Sequence, residues 1–291
     1  MQAINFYYEL EPEKNHFPVI YVDITHRCNM ECANCYLPNR DFADLETDRI
    51  FDFISRFQKP TEFRFIGGEP TLHKDLVHIV KQVNEMPIRH RTTVVTNGLR
   101  MASYKYVKQL KDAGLKTVYL SMTGFDDDEV YKITDNLACA NKKMKALNNI
   151  IENKLRLALG CIVIKGLNEH IIDKIRDRLF SSDIRVGTSV EFRNVGQVGR
   201  YMRGKETDEN YDYEDLKNLI FKKFGVKQPE LLEFDGYSYY LQIGKIRINI
   251  TDWKTVNEGF SEQTNSIRGR LTPNWTVAPF LEHIKENDGG Y

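Results

Sequence analysis

The 291-residue chain lacks an excess of either charge: 41 Lys and Arg stand against 41 Asp and Glu, for a formal net charge of zero. No global field therefore gathers nucleic acid or anionic lipid, although a local basic groove remains open. No stretch approaches the roughly 18 consecutive apolar residues of a membrane span. The opening residues, Met1 to Tyr8, have neither the basic flank nor the apolar core of a secretion signal. These absences lead us to expect a cytoplasmic protein with no membrane partner and no nucleic-acid footprint. Cysteine is scarce too, with five in all. Three of them crowd between Cys28 and Cys35, while Cys139 and Cys161 stand far apart. That is unlike a secreted disulfide framework and suits thiols in a reducing compartment.

Apart from these gaps the composition is ordinarily globular, and the length fits one large domain or a large and a small one. Residues 1–17 show no clear period and read as an N-terminal arm. From Pro18 short β-rich runs alternate with helical ones. Strands are expected at Val19–Ile24, Glu62–Ile66, Thr92–Thr96, Thr117–Met122, Arg156–Ile164 and Val186–Val195. Helices fall between them, the longest running from Asp127 to Asn153 with a break near Asn136. Six such repeats, with right-handed crossovers, make an α/β fold: a curved parallel sheet, or partial (β/α)6 TIM-like barrel, over residues 18–200. Two further units would be needed to close eight, and none is apparent. After Val195 the pattern changes to a linker over 196–209, charged from Arg203 to Glu209, then a helix at Asp215–Phe224 and an antiparallel meander over Leu231–Ile250. A short helix is expected at Pro279–Lys285. Residues 201–291 are therefore expected to form a small C-terminal α+β cap, whose aromatics Tyr237, Tyr239, Tyr240, Trp253 and Trp275 either cover the barrel's open side or pack on it.

In parallel folds of this kind chemistry gathers at the C-terminal strand ends. Cys28, Glu69, Asn97, Ser121 and Arg193 all lie at or near such ends. Cys28, Cys32 and Cys35 follow the first strand with the spacing C-x3-C-x2-C. A structural zinc needs four protein ligands, and a knot completed by His26 or a distant cysteine is the competing reading. Three cysteines on an iron–sulfur cubane instead leave one iron for an outside ligand. At the end of the second strand, Gly67-Gly68-Glu69-Pro70 offers glycines that permit close backbone approach to a ligand, beside a carboxylate able to accept from an ammonium group.

The cysteine spacing, with Thr25 before it, Asn29 within it and Tyr36 after it, resembles the radical S-adenosylmethionine (SAM) superfamily. The resemblance implies a [4Fe–4S] cluster on Cys28, Cys32 and Cys35, whose fourth iron chelates the amino and carboxylate groups of SAM. It implies reductive cleavage of SAM to methionine and a 5′-deoxyadenosyl radical that abstracts hydrogen, with electrons from a donor such as flavodoxin or ferredoxin. Gly68 and Glu69 would meet the methionine amino group, Ser121 the ribose or carboxylate, Ile162 the adenine, and Arg193 the cofactor at the sixth strand's end. Asn34 occupies the cofactor-binding place before the third cysteine, where an aromatic residue is common, and lacks a ring to stack on adenine.

Within the superfamily, Arg64 to Leu72 and Thr96-Asn97-Gly98 look like the GTP 3′,8-cyclase branch of molybdenum-cofactor synthesis, over roughly residues 18–200. Arg64 falls where that enzyme uses an arginine on its nucleotide, which makes it a substrate-contact candidate. The chain departs from that branch in having no cysteine after Cys161, hence no auxiliary cluster. The same lack separates it from the peptide-modifying branch with auxiliary clusters. A small nucleotide-like or amino-acid-like substrate is expected, with a ribosomal peptide, a nucleic-acid base and a non-catalytic iron–sulfur sensor as alternatives. Cys139 and Cys161 read as ordinary thiols, Cys139 having a hydrogen-donor role as its alternative.

Overall fold

Strand and helix alternate from Val19 onward as the apolar spacing predicts. The computed structural model describes residues 8–35, 37, 43–195, 210–227, 232–233, 238–252 and 267–280. Six strands run in the expected order: β1 (Val19–Thr25), β2 (Glu62–Gly67), β3 (Arg91–Thr96), β4 (Thr117–Ser121), β5 (Arg156–Ile162) and β6 (Thr188–Arg193). Between them lie α1 (Thr47–Ser55), α2 (Leu76–Glu85), α3 (Tyr104–Asp112), α4 (Asp128–Asp135), α5 (Ala140–Glu152) and α6 (His170–Ser181). The break in the long helix falls where expected. Asn136 ends α4 with φ 53° and ψ 31°, a left-handed conformation that asparagine tolerates better than most residues.

Neighbouring strands from β1 to β6 pair in parallel. Because successive side chains point to opposite faces of a strand, each strand divides its residues between two environments. Ile20, Val22 and Ile24 of β1, with Phe63 and Phe65 of β2, join the core that packs against Ile50, Phe53 and Ile54 of α1 and Leu76, Ile79, Val80 and Val83 of α2. The intervening positions face the inside of the curved sheet and are mostly polar or charged.

The chain after residue 200 contains the expected helix, α7 (Tyr213–Phe224), and antiparallel strands, which join the barrel's own sheet. Strands β7 (Leu232–Glu233), β8 (Ser238–Ile243) and β9 (Ile246–Thr251) form the meander, and β9 pairs in parallel with β6. Strand β10 (Arg268–Leu271) pairs in parallel with β1, and β11 (Val277–Pro279) runs antiparallel beside it. The sheet order is β11-β10-β1-β2-β3-β4-β5-β6-β9-β8-β7. Eight neighbouring strands, from β10 to β9, are therefore parallel, two more than the sequence pattern suggested, and the sheet is not closed. The added strands satisfy backbone groups that β1 and β6 would otherwise expose as edges.

The arm is tied down as well: Leu10 exchanges two 2.8 Å backbone hydrogen bonds with Val277, and Phe17 is buried in the core. The expected linker over 196–209 lies outside the described residues, as do Tyr237, Trp253 and residues 281–285 of the expected last helix, whose first residue, Pro279, ends β11. No helix among the described residues is long and apolar enough to cross a membrane.

Candidate active site

The inner face of the sheet encloses one cavity of about 560 Å³. Every residue that the sequence assigned to the cluster, the cofactor or the substrate lines it: Cys28, Cys32 and Cys35 with Asn34 from the loop after β1, Arg64, Gly68 and Glu69 from β2 and its end, Ser121 from β4, Ile162 from β5 and Arg193 from β6.

The cysteine loop is held from several sides. Thr25 donates its hydroxyl to Asp44 at 2.6 Å and accepts the Arg27 N–H, while Arg27 forms a forked ion pair with the same Asp44. Gly68 N–H donates to Thr25 O at 2.9 Å and Glu69 N–H to Arg27 O at 2.8 Å. Asn97, ending β3, donates its side-chain amide to Asn29 at 2.8 Å, and Ala33 N–H donates to Thr134 O near the end of α4 at 2.8 Å. The glycines of the Gly-Gly-Glu-Pro turn thus serve the loop itself. A Cβ on Gly68 would lie 2.5 Å from Arg27 O and closer still to His26 O, and Gly67 has φ 134° with Thr25 O against it. The close approach anticipated toward a ligand is made here to the backbone that carries the cysteines.

Glu69 is fully buried. Its Oε1 accepts from Thr71 N–H, Thr71 Oγ1 and Thr96 Oγ1, and its Oε2 from Asn97 N–H at 2.7 Å. Burial pushes its carboxyl pKa upward, with these four donors acting the other way. A carboxylate offers about four acceptor positions, so Glu69 clamps the ends of β2 and β3 in this arrangement. Oε2, with a single donor, keeps one acceptor position that an ammonium group could use.

Farther into the barrel, Arg64 donates to Glu62 at 2.7 Å and to the Tyr21 hydroxyl at 2.8 Å, and Glu62 also accepts from Thr93. Against the cost of burial, Tyr21 and Glu62 hold the guanidinium firmly charged. On the opposite wall the Tyr119 hydroxyl donates to Glu191 at 2.5 Å, and Thr251 of β9 donates to the other oxygen of Glu191 at 3.0 Å. Burial pushes Tyr119 well above the usual phenol range, and it opposes an Arg193 guanidinium that Tyr119 and Glu191 keep charged. Gly160 gives Tyr119 room to cross β5, since a Cβ there would lie 2.6 Å from the ring. Tyr21, Glu62, Tyr119 and Glu191 were not anticipated. Their signal was present, because each stands two residues from an inward-facing residue or two before one that was named. Asn168, fully buried, ties the ends of β4 and β5 by donating to Thr123 O and Ile162 O and accepting from Ile164 N–H.

None of the three loop cysteines is in a disulfide, and all three are half-buried. Among the described residues no three His, Cys, Asp or Glu side chains converge on a point as one ion would require. Thiols that each take a separate iron need no such convergence. His26, which a zinc knot would recruit, is buried and outside the cavity lining. The donor set therefore suits an iron–sulfur cluster. Cys139 and Cys161 are buried, their thiols pushed up to about 11 and about 12 by desolvation, and neither lines the cavity.

Comparison with known proteins agrees with this arrangement. The family model of the Radical SAM superfamily matches residues 22–179. A GTP 3′,8-cyclase of Nautilia profundicola is 30% identical over 283 residues, covering 90% of this chain and 80% of that protein. A 7,8-dihydro-6-hydroxymethylpterin dimethyltransferase of Methanocaldococcus jannaschii is 27% identical over 192 residues, 62% of this chain but 36% of the methyltransferase. Among solved structures, Streptococcus suis SuiB bound to its precursor peptide SuiA superposes with a TM-score of 0.67 at 16% identity, over 94% of this chain and 62% of SuiB. SuiB bound to S-adenosylmethionine gives 0.66. At that identity the likeness is one of fold, and the chain spans about a third of the methyltransferase and under two thirds of SuiB.

Proposed function

Because the chain belongs to the radical SAM superfamily of enzymes, we propose that Cys28, Cys32 and Cys35 hold a single [4Fe–4S] cluster that cleaves SAM reductively, with a small nucleotide-like or amino-acid-like molecule as substrate. The cluster and SAM together supply a 5′-deoxyadenosyl radical that abstracts hydrogen from that substrate. The observation that carries the reading is the shared cavity. The three cysteines line it together with residues from the ends of β2, β4, β5 and β6, and the Arg64–Glu62–Tyr21 and Tyr119–Glu191 groups line the same space.

The roles divide by depth. Gly68 and Glu69 set the cysteine loop against the sheet and meet the methionine amino group of SAM, while Asn34, Ser121, Ile162 and Arg193 supply the rest of its polar and apolar surface. Arg64, kept charged and aimed by Tyr21 and Glu62, is the substrate contact, and a preorientated guanidinium suits a carboxylate, a phosphate or a nucleobase edge. The volume lies within the roughly 300–1,000 Å³ usual for small-molecule sites, and the surrounding strands exclude bulk water from a reactive radical. Electrons would come from a one-electron carrier such as flavodoxin or ferredoxin. A peptide substrate is the second reading, favoured by the fold shared with SuiB, whose structure contains its precursor peptide.

Anaerobic reconstitution followed by dithionite and SAM tests the proposal. Iron and sulfide in cubane stoichiometry and formation of 5′-deoxyadenosine are expected, and both should vanish when the three cysteines become alanine. Stoichiometric zinc without iron would overturn the cluster, and a cluster without 5′-deoxyadenosine, with or without cell extract, would favour a sensor. Deuterium transfer into 5′-deoxyadenosine from labelled metabolite or peptide pools separates the two substrate readings.

A further inference from the structure

Helix α5 presents Ala140, Lys143, Ala146, Leu147 and Ile150 to the interior, so one charged residue stands in an otherwise apolar stripe. The Lys143 side chain is 2% exposed, and its ammonium donates to Ser121 O at 3.0 Å and lies 3.5 Å from Asp135, itself 8% exposed. It also stands 4.7 Å from the centroid of the Tyr131 ring. A buried ammonium costs several kcal/mol to desolvate, and a carboxylate 3.5 Å away, one carbonyl and one ring face offset only part of that.

The pair adjoins the cysteine loop. Lys143 and Asp135 line the same cavity as Cys28, Cys32 and Cys35. Ala33 N–H is bonded to Thr134 O, which fixes the loop against the turn that carries Asp135, and Met30, Cys28 and Cys32 pack with Tyr131 there.

We infer that Lys143 is a positioning residue that serves as the buried counter-cation of the cysteine-held cluster, and that Asp135 orients it and partly offsets its charge. The inference rests on the cluster reading above. A [4Fe–4S]²⁺ core with three thiolates carries one net negative charge, and one electron from an external donor raises that to two, with no bond made or broken. A fixed cation nearby favours the more negative state and so makes reduction easier; a fixed anion does the opposite. The field acts through a water-poor interior, where such terms are larger than at a surface.

The test is a potentiometric titration of the reconstituted full chain without SAM, with dithionite as reductant, read by the electron paramagnetic resonance signal of the reduced cluster. Lys143→Met, which keeps the length of the stem, should shift the midpoint to more negative potential. Asp135→Asn should shift it to more positive potential, and the double variant should return toward the wild-type value. A structural role alone would cost cluster content in both variants and move neither midpoint in this opposed way. If Lys143→Met fails to fold or load, Asp135→Asn decides by itself: a positive shift supports the inference, and an unmoved or more negative midpoint overturns it. A wild-type chain that takes up no iron–sulfur cluster would defeat the cluster reading, whereas a loaded wild type with unmoved variants would defeat only the role given to Lys143 and Asp135.

Discussion

Replacing Gly68 by alanine isolates the contact between the Gly-Gly-Glu-Pro turn and the cysteine loop. The new Cβ would lie 2.5 Å from Arg27 O and 2.8 Å from Arg27 C, with His26 O nearer still. These are backbone atoms, so no side chain can swing aside. Relief requires the two loops to separate by roughly 0.9 Å or more before the contact reaches the 3.4 Å at which ordinary van der Waals contact begins, and a well-packed site resists such overpacking by about 1–3 kcal/mol. Separation also stretches the hydrogen bonds from Gly68 to Thr25 and from Glu69 to Arg27, each worth about 1 kcal/mol. The sum, about 3–5 kcal/mol, is a large share of the 5–15 kcal/mol typical of a domain and corresponds to a melting temperature lower by roughly 10 °C. Because the displaced strand of chain carries Cys28, iron loading should fall with it. The control is Gly225→Ala at the end of α7, where φ is 67° and no atom lies within 4 Å of the added Cβ. Only left-handed strain remains there, about 1–2 kcal/mol, and iron loading should be kept. Melting of the apoprotein and iron per chain after reconstitution are the measurements. A Gly68→Ala chain that melts and loads like wild type would refute the reasoning, as would equal iron loss in Gly225→Ala.

Burial pushes the Asp23 carboxyl up to about 6, with Arg270 acting against it. An unfolded aspartate titrates near about 3.9, so between about pH 4 and 6 the folded chain holds a proton that the unfolded chain releases. Stability should therefore fall as pH rises through that window, by roughly 2–3 kcal/mol at most; urea midpoints across it should slope in wild type and run flat in Asp23→Asn, and equal slopes would sink the assignment. Arg64→Ala leaves Glu62 Oε1 with Thr93 alone, which should cost about 2–3 kcal/mol. SAM affinity should hold while substrate-dependent turnover drops; a matching loss of SAM binding would move Arg64 out of the substrate region. Gly160→Ala pushes on the Tyr119 ring and should destabilise by about 1–3 kcal/mol. Most of that cost should disappear in a Tyr119→Ala background, and a double-mutant cycle with no coupling would show that the contact carries no strain.

The barrel half of the fold was legible because its signals are local. Alternation marks β1 to β6, apolar stripes mark the helices, and Asn136 marks the break between α4 and α5. That the ten candidate residues line one cavity was legible because strand ends and a three-cysteine loop constrain position tightly. Tyr119 and Glu191 follow from the same alternation that exposed Ser121 and Arg193, once it is known that the strands enclose a polar space. Lys143 is readable only as an interruption of the apolar stripe in α5, since neighbouring Lys142 and Lys145 are equally basic and solvent-facing positions carry lysine freely. The pairing of β10 with β1 has no local signal at all. Arg268 meets Val19 across most of the chain, and such non-local parallel pairing is dictated by the edge left open, not by the sequence between.

That late pairing bears on where specificity resides. The residues proposed for the cluster and SAM all precede residue 194, and they sit on β1 to β6 and their following loops. The wall facing Arg64 and Tyr119 is built in part from the later strands: Thr251 bonds Glu191, the Arg247 guanidinium lies 3.8 Å from the centroid of the Tyr240 ring, and Phe280 stacks on Tyr21 with centroids 3.8 Å apart. Tyr240, Arg247, Asn249, Thr251, Arg268 and Phe280 all line the cavity. Under the proposed function, the cofactor chemistry would depend on the half of the chain that carries the family pattern, and the choice of substrate on its contact with the half that does not. Relatives that share β1 to β6 but differ in β8 to β11 would keep the same first step and present the radical to different molecules. Under that proposal the aromatic and arginine residues of β8 to β10, more than the cysteine loop, would set which substrate this chain takes.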